Sequence, residues 1–269
     1  MKSYGQFCPV AKAAEILTEK WTLLILRDLL GGSQHFNDLR KGVPLMSPSL
    51  LSKRLKSLEE AGVIERRSDP TRRATEYHLT AAGHEMQPMI LLFGSWGQRW
   101  VRNRLSEDKL DVGLLMWAVV SDIRSNIDSK YFSDPRTVVQ FEYSDITGPE
   151  KIWWLIVEPS QADLCIEDPG FDVDLFVYTD LATLTRAWMG DIPLKPAVQS
   201  GAIELHGLRL LVDGFDKWMR RSPFATVELA PEPLQVERIL KEWAESMKKE
   251  AVSHYKLEKL IRMFSKTRL

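Results

Sequence analysis

Residues 47–80 read SPSLLSKRLKSLEEAGVIERRSDPTRRATEYHLT, and this stretch decides the fold of the first third of the chain. Ser47 before Pro48 is a helix cap followed by proline at the first helical position, a favourable start. Leu51, Leu55, Leu58 and Gly62 then fall at i, i+4, i+7 and i+11, so one stripe of the helix faces a core. Ser49, Ser52, Lys53, Lys56 and Glu60 form the opposite stripe. Two short strand-like runs follow at once, around a turn in which Arg66, Arg67, Arg72 and Arg73 are gathered.

A helix with hydroxyls and lysines on its outward face can enter a DNA major groove, hydroxyls to base edges and lysines to phosphates or guanines. Guanidiniums on an adjoining turn suit phosphate or a narrow minor groove. Helix, strand, basic turn and strand in this order make a winged helix-turn-helix, and the expected partner is double-stranded DNA. The expected contacts are Ser47, Ser49, Ser52, Lys53, Lys56, Arg66, Arg67, Arg72 and Arg73.

Upstream, Pro9 opens a helix carrying Val10, Ala13, Ala14 and Leu17 at helical spacing. Lys20 to Leu30 reads as a second helix with Trp21, Leu24, Ile25 and Leu29 inward, closed by Gly31-Gly32. Phe36, Leu39 and Val43 mark a short third. Downstream, Thr80 can cap a long helix from Ala81 to about Asn103, whose apolar positions include Met86, Met89, Ile90, Phe93, Trp96, Trp100 and Val101. Such a helix packs either on a partner subunit or on a second domain of its own chain.

This first module resembles the HxlR family of bacterial winged-helix regulators. The matching words are CPV at 8–10, EKWTLLILRDLL at 19–30, FNDLRKGVPLMSPSLLSKRLKSLEEAGVIERR at 36–67 and EYHLTAAG at 76–83. The compact, strongly basic wing DPTRRA departs from the family pattern. The resemblance implies a homodimer on an inverted-repeat operator. It also implies a role for Cys8, since members that sense electrophiles or oxidants carry a cysteine at this place.

Charge is partitioned along the chain. Residues 1–104 hold 16 Lys and Arg against 10 Asp and Glu, and residues 105–229 hold 11 against 21. Residues 230–269 hold 9 against 6. A basic first third and an acidic middle fit a DNA reader joined to a domain with no phosphate to bind. The expected domains are 1–108, 109–225 and 226–269. The longest apolar run, Gly113 to Val120, is too short to span a bilayer, and MKSYGQFCPV has no signal-like apolar segment. Two cysteines make no disulfide framework, so a cytoplasmic setting is expected.

In the second module a helix around Leu114 to Ile127 precedes four strand-like runs: Thr137 to Tyr143, Lys151 to Glu158, Ala162 to Glu167 and Asp172 to Tyr178. Turn signals separate the runs. The second, with IWWLIV apolar on both faces, is expected to be central. Helices at Asp180 to Met189 and Leu194 to Ser200, a strand Ala202 to His206 and a helix Leu208 to Arg220 complete an α+β sandwich. The stretch VDLFVYTDLATLTRAWMGDIPLKPAVQSGAIELHG with GFDKWM resembles the sterol-carrier-protein type-2 fold. That resemblance implies an apolar tunnel, and the side chains expected around a lipid-like effector are Val139, Phe141, Leu155, Val173, Leu175, Leu184, Trp188, Leu211 and Phe215. Five of the nine tryptophans lie in this module, and aromatics so dense either line a cavity or fill a core. After a linker at Ala230-Pro231-Glu232-Pro233, Val236, Leu240, Trp243, Met247, Tyr255 and Ile261 form the stripe of a terminal amphipathic helix. Docking on its own chain or on a dimer partner is favoured for it over a membrane surface.

No catalytic constellation is present: there is no GxSxG, P-loop or GxGxxG, and no cofactor is expected. His35, His78, His84, His206 and His254 have no metal-ligand spacing. Asp163, Glu167, Asp168, Asp172 and Asp174 read as solvated turn residues, and Cys165 as structural. Cys8, at a helix N-terminus whose partial charge favours a thiolate, is either a redox-responsive thiol or a small buried hydrophobe. The composite expectation is a transcriptional regulator sensing an apolar molecule. Its alternatives are a thiol switch at Cys8 and a lipid carrier whose first module only dimerises.

Overall fold

The structure, a computed structural model, describes residues 3–69, 74–101 and 110–230. Two compact units divide the chain, one of Met1–Ser95 with Leu105–Val227 and the other of Trp96–Arg104 with Glu228–Leu269. Arg72, Arg73 and the expected terminal helix lie outside the described residues.

The first unit opens with α1 (Pro9–Leu17), α2 (Thr22–Leu30), α3 (Phe36–Gly42) and α4 (Pro48–Glu60), followed by an antiparallel hairpin of β1 (Ile64–Asp69) and β2 (Ala74–Leu79). Ile25, Leu26, Leu39, Leu51, Leu55 and Leu58 pack into one buried cluster. Helix α2 begins two residues later than its apolar spacing predicts, because Trp21 sits at φ 81° in the left-handed region. That shift rotates the inward face: Leu26 is buried, whereas Leu24, expected inside, is exposed.

The single helix expected over 81–103 is broken into α5 (Ala81–His84) and α6 (Gln87–Trp96). Pro88 explains the break, since it has no N–H to donate and its ring clashes with the carbonyl four residues back, at the end of α5. Thr80 caps α5 as its sequence position predicts, its Oγ1 accepting from the Gly83 N–H at 3.3 Å.

The second module places α7 (Val112–Arg124) against one face of a five-stranded sheet built from β3 (Thr137–Tyr143), β4 (Ile152–Glu158), β5 (Gln161–Cys165), β6 (Leu175–Thr179) and β7 (Ile203–Gly207). The strand order is β5-β4-β3-β6-β7, with β3 and β6 parallel and the other pairs antiparallel. The central strand is therefore β3, not β4, and the fourth strand crosses to the far side of β3 instead of extending the meander. Between β6 and β7 lie α8 (Leu181–Met189) and α9 (Leu194–Gln199). The last expected helix is divided into α10 (Arg209–Asp213) and α11 (Phe215–Trp218), with Gly214 packed against the Tyr131 ring. Val139, Phe141, Tyr143, Leu155, Val157, Leu175 and Val177 point to one face at strand period and pack with Met116, Val120, Leu184, Leu211 and Phe215.

Carboxylates tie these elements together. Asp180 caps α8 by accepting from the Thr183 N–H at 2.7 Å, and Gly190 ends that helix at φ 86°. Asp174 accepts from the Val138 N–H at 2.8 Å, and Asp145 from the Leu181 N–H at 3.0 Å. Inside the second unit, the Ala230 N–H donates to the Arg99 carbonyl at 2.9 Å. No helix among the described residues is long and apolar enough to cross a membrane.

Asp122 on α7 accepts from the Trp188 indole N–H at 3.2 Å, and burial pushes its carboxyl up to about 6 against the pull of that hydrogen bond and of Arg220. A raised carboxyl pKa means the folded state holds its proton to higher pH than the unfolded state does. Its contribution is complete below the unfolded value of 3.8 and is lost as pH rises through about 6. Asp122→Asn keeps an acceptor for Trp188 without the charge. Urea unfolding across this window should show the parent losing stability relative to the variant as pH rises, by up to about 3 kcal/mol in the difference between them.

Candidate nucleic-acid interface

The geometry of α4 follows from its two stripes. Leu51, Leu55 and Leu58 are buried, and each contributes about 2 kcal/mol by leaving water. Their burial leaves the helix one rotational setting, in which Ser49, Ser52, Lys53 and Lys56 face outward and are all exposed. Ser47 caps the helix by accepting from the Leu50 N–H at 3.3 Å, and its Oγ lies 3.2 Å from that of Ser49. The cap engages Ser47, while Ser49 and Ser52 stand exposed on the outward side of the helix. Lys56 stands 3.7 Å from Glu60 one turn on, a solvent-exposed pair too weak to hold the ammonium from a phosphate.

Grouping residues by stripe missed Arg54. It lies between the two stripes with its side chain largely covered, where its Nε donates to the Lys20 carbonyl at 3.2 Å and its Nη2 pairs with Glu19. This clamp fastens α4 to the turn between α1 and α2, where Trp21 occupies its left-handed conformation with Lys20 Nζ 5.1 Å from its ring. A bulky residue there costs about 1–3 kcal/mol. No glycine or asparagine in Glu19-Lys20-Trp21 signalled that conformation.

The wing leaves α4 through Ala61 and Gly62, the latter at φ 71°. Thr80 Oγ1 donates to the Gly62 carbonyl at 2.7 Å, tying the end of the hairpin to the end of the helix. Arg66 lies opposite Tyr77 and Arg67 opposite Glu76, and both arginines are exposed, Arg67 paired with Glu65. The hairpin gains a short third edge: the Tyr77 N–H donates to the Gln34 carbonyl at 2.8 Å, and His35 bridges Glu76. Arg72 and Arg73, at the tip, lie outside the described residues.

In the second module, Val139, Phe141, Leu155, Leu175, Leu184, Leu211 and Phe215 come together in one buried cluster, as expected of a common site or a common core. Trp188 and Val173 are half-buried, Val173 lying ahead of β6 instead of within it. Phe215 and Phe132 both meet the Trp218 ring edge-on, at 5.2 and 5.7 Å between centroids. Two concavities on the first module are lined by Glu19 and Arg54 among other residues.

Cys8 is half-buried at the N-cap of α1, with no side-chain capping bond. Cys165 on β5 is half-buried too, and burial, with Asp163 nearby, pushes its thiol pKa up, away from a reactive thiolate. Among the described residues no group of three or more His, Cys, Asp or Glu could hold a metal.

Residues 16–105 match the family described as HxlR-like helix-turn-helix. The chain is 38% identical over 99 residues to the HTH-type transcriptional regulator YvaP of Bacillus subtilis (strain 168), covering 36% of this chain and 92% of that protein. It is 34% identical over 110 residues to the HTH-type transcriptional regulator sll1512 of Synechocystis sp., covering 40% and 82%. Among solved structures, the reduced form of the transcriptional regulator YodB from B. subtilis is 29% identical, covers 35% of this chain and 93% of its own, and has a TM-score of 0.32. The chain belongs to the HxlR-like helix-turn-helix family.

Proposed function

We propose that the chain is a dimeric transcriptional regulator that binds double-stranded DNA through α4 and the β1–β2 wing. The observation that carries this reading is the two-sided α4, with leucines buried on one side and Ser49, Ser52, Lys53 and Lys56 presented on the other. Family membership supports it. Lys53→Ala and Lys56→Ala each remove one candidate phosphate contact. Each should weaken binding on any duplex and flatten the dependence of log affinity on log salt by about 0.9, whereas Ser49→Ala and Ser52→Ala should relax sequence preference. Fluorescence anisotropy on random duplexes across a salt series checks this. A folded double-lysine variant that binds as the parent does, with the parent's slope, would refute the reading.

Two such helices related by a two-fold axis would read half-sites about 10 base pairs apart on one face of an inverted repeat. Support for assembly comes from α1 and α6, neither of which buries a single residue, while Phe7, Val10, Leu92, Phe93 and Trp96 are exposed. An apolar surface of this kind marks an association site. Trp100, half-buried beside Arg99, is a weaker anchor than Trp96. Light scattering at micromolar concentration should give twice the chain mass, and Phe93→Glu should halve it.

The second module is proposed as the effector-responsive part, for an apolar molecule held by Val139, Phe141, Leu155, Val173, Leu175, Leu184, Trp188, Leu211 and Phe215. What supports it is the layering of helices on one apolar sheet face, together with the sterol-carrier resemblance of 173–207. A medium-chain fatty acid titrated into the protein should raise the melting temperature with occupancy and change operator affinity. No shift across a broad apolar library would end this part of the proposal and leave the DNA reading standing.

A further inference from the structure

The two modules keep separate buried clusters, and α3 of the first packs against α7 of the second. Trp117 of α7 is buried there, with Lys41 Nζ 5.4 Å and Arg124 Cζ 5.2 Å from its ring centroid. Gly42, the last residue of α3, leaves no room for a side chain: a methyl group would collide with the Asp28 carboxylate and stand 3.0 Å from the Trp117 Nε1. Arg27 closes the same point from α2, its Nη2 donating to the Gly42 carbonyl at 3.0 Å and its Nε to Asp28 Oδ1 at 2.8 Å. Asp28 is 7% exposed and its Oδ2 has no hydrogen-bond partner among the described residues, an arrangement that costs free energy which the surrounding packing must offset.

From Gly42 the path to the reading helix is short and stiff. The Val43 N–H donates to the Arg40 carbonyl at 3.2 Å and the Met46 N–H to the Val43 carbonyl at 2.9 Å, with both side chains buried, and Ser47 then caps α4. Behind Trp117, Arg124 donates to the Ala162 carbonyl and, at 2.8 Å, to Asp163 Oδ1, which fixes it to the edge strand β5. Packed groups in a dense interior transmit a displacement and do not absorb it.

We infer that Trp117 is a positioning residue for DNA reading, supplied by the second module, which holds the end of α3 and thereby sets where α4 presents Ser49, Ser52 and Lys53. Its effect on DNA rests on the function proposed above; its hold on α3 does not. A displacement of α7 or β5 would then reach the recognition helix through one indole ring, without any change in the first module's own core.

The test compares full-length Trp117→Ala, Trp117→Phe and Val177→Ala, the last a truncation in the same core but on β6. Hydrogen exchange of residues 36–50 should rise roughly tenfold or more in Trp117→Ala, with little change in Val177→Ala and in Trp117→Phe, whose ring keeps most of the contact. Affinity for the duplex that the parent selects from a random library should fall about two- to thirty-fold in Trp117→Ala. The salt slope should be unchanged, since no phosphate contact is lost. Equal exchange over 36–50 in Trp117→Ala and Val177→Ala would overturn the inference, as would a flattened salt slope. If the alanine variant does not fold, Trp117→Leu serves in its place under the same criteria. A parent that binds no duplex would sink the DNA reading, while the exchange comparison would still decide whether Trp117 holds α3.

Discussion

Burial of one leucine stripe is the constraint on which the first module depends. Leu51, Leu55 and Leu58 enter the cluster formed by α2 and α3, and a helix has only one rotation that places all three there. Everything on the opposite side is thereby turned to solvent in a fixed order. The same burial sets the exit of the chain into β1, so that the core and the surface proposed to read DNA are two consequences of one packing event. A helix held less firmly would present the same serines and lysines in a spread of orientations, and base-edge recognition tolerates little spread.

The clamps around α4 show how that rotation is held against sliding along the helix axis. Arg54 fastens it to the α1–α2 turn, where Trp21 bears a conformation that costs free energy, and the Ser47 cap and Gly42 contact fix its start. Strain at Trp21 is tolerable because the ring packs against the module's cluster and Lys20 lies over it. The second module is organised differently. Its rigidity comes from a central β3 hydrogen-bonded on both sides, and from aspartates that receive backbone N–H groups at the ends of strands and helices. An acidic composition that would read as a solvated surface is thus partly structural.

Much of this was legible in the chain itself. Helical period marked the inward leucines, Ser-Pro marked the start of α4, Thr80 marked a second cap, and the apolar run from Thr137 to Tyr143 marked β3. Each of these is a local signal, carried by residues within a few positions of one another. The uninterrupted helix over 81–103 failed where a local signal was available but outweighed: apolar spacing continued across Pro88, which fits the first turn of a helix but not its interior.

Other features were decided only in three dimensions. The parallel pairing of β3 with β6 joins residues more than thirty positions apart, and the apolar alternation of both strands is equally compatible with a simple meander. Arg54 against Lys20, Trp188 against Asp122 and Trp117 against Gly42 likewise depend on where distant segments come to rest. The sequence alone determined which residues must be inside and which outside, because period and capping act over one or two turns. Tertiary structure alone decided which inside residues meet, because that is set by the packing of whole elements and leaves no periodic trace in the chain.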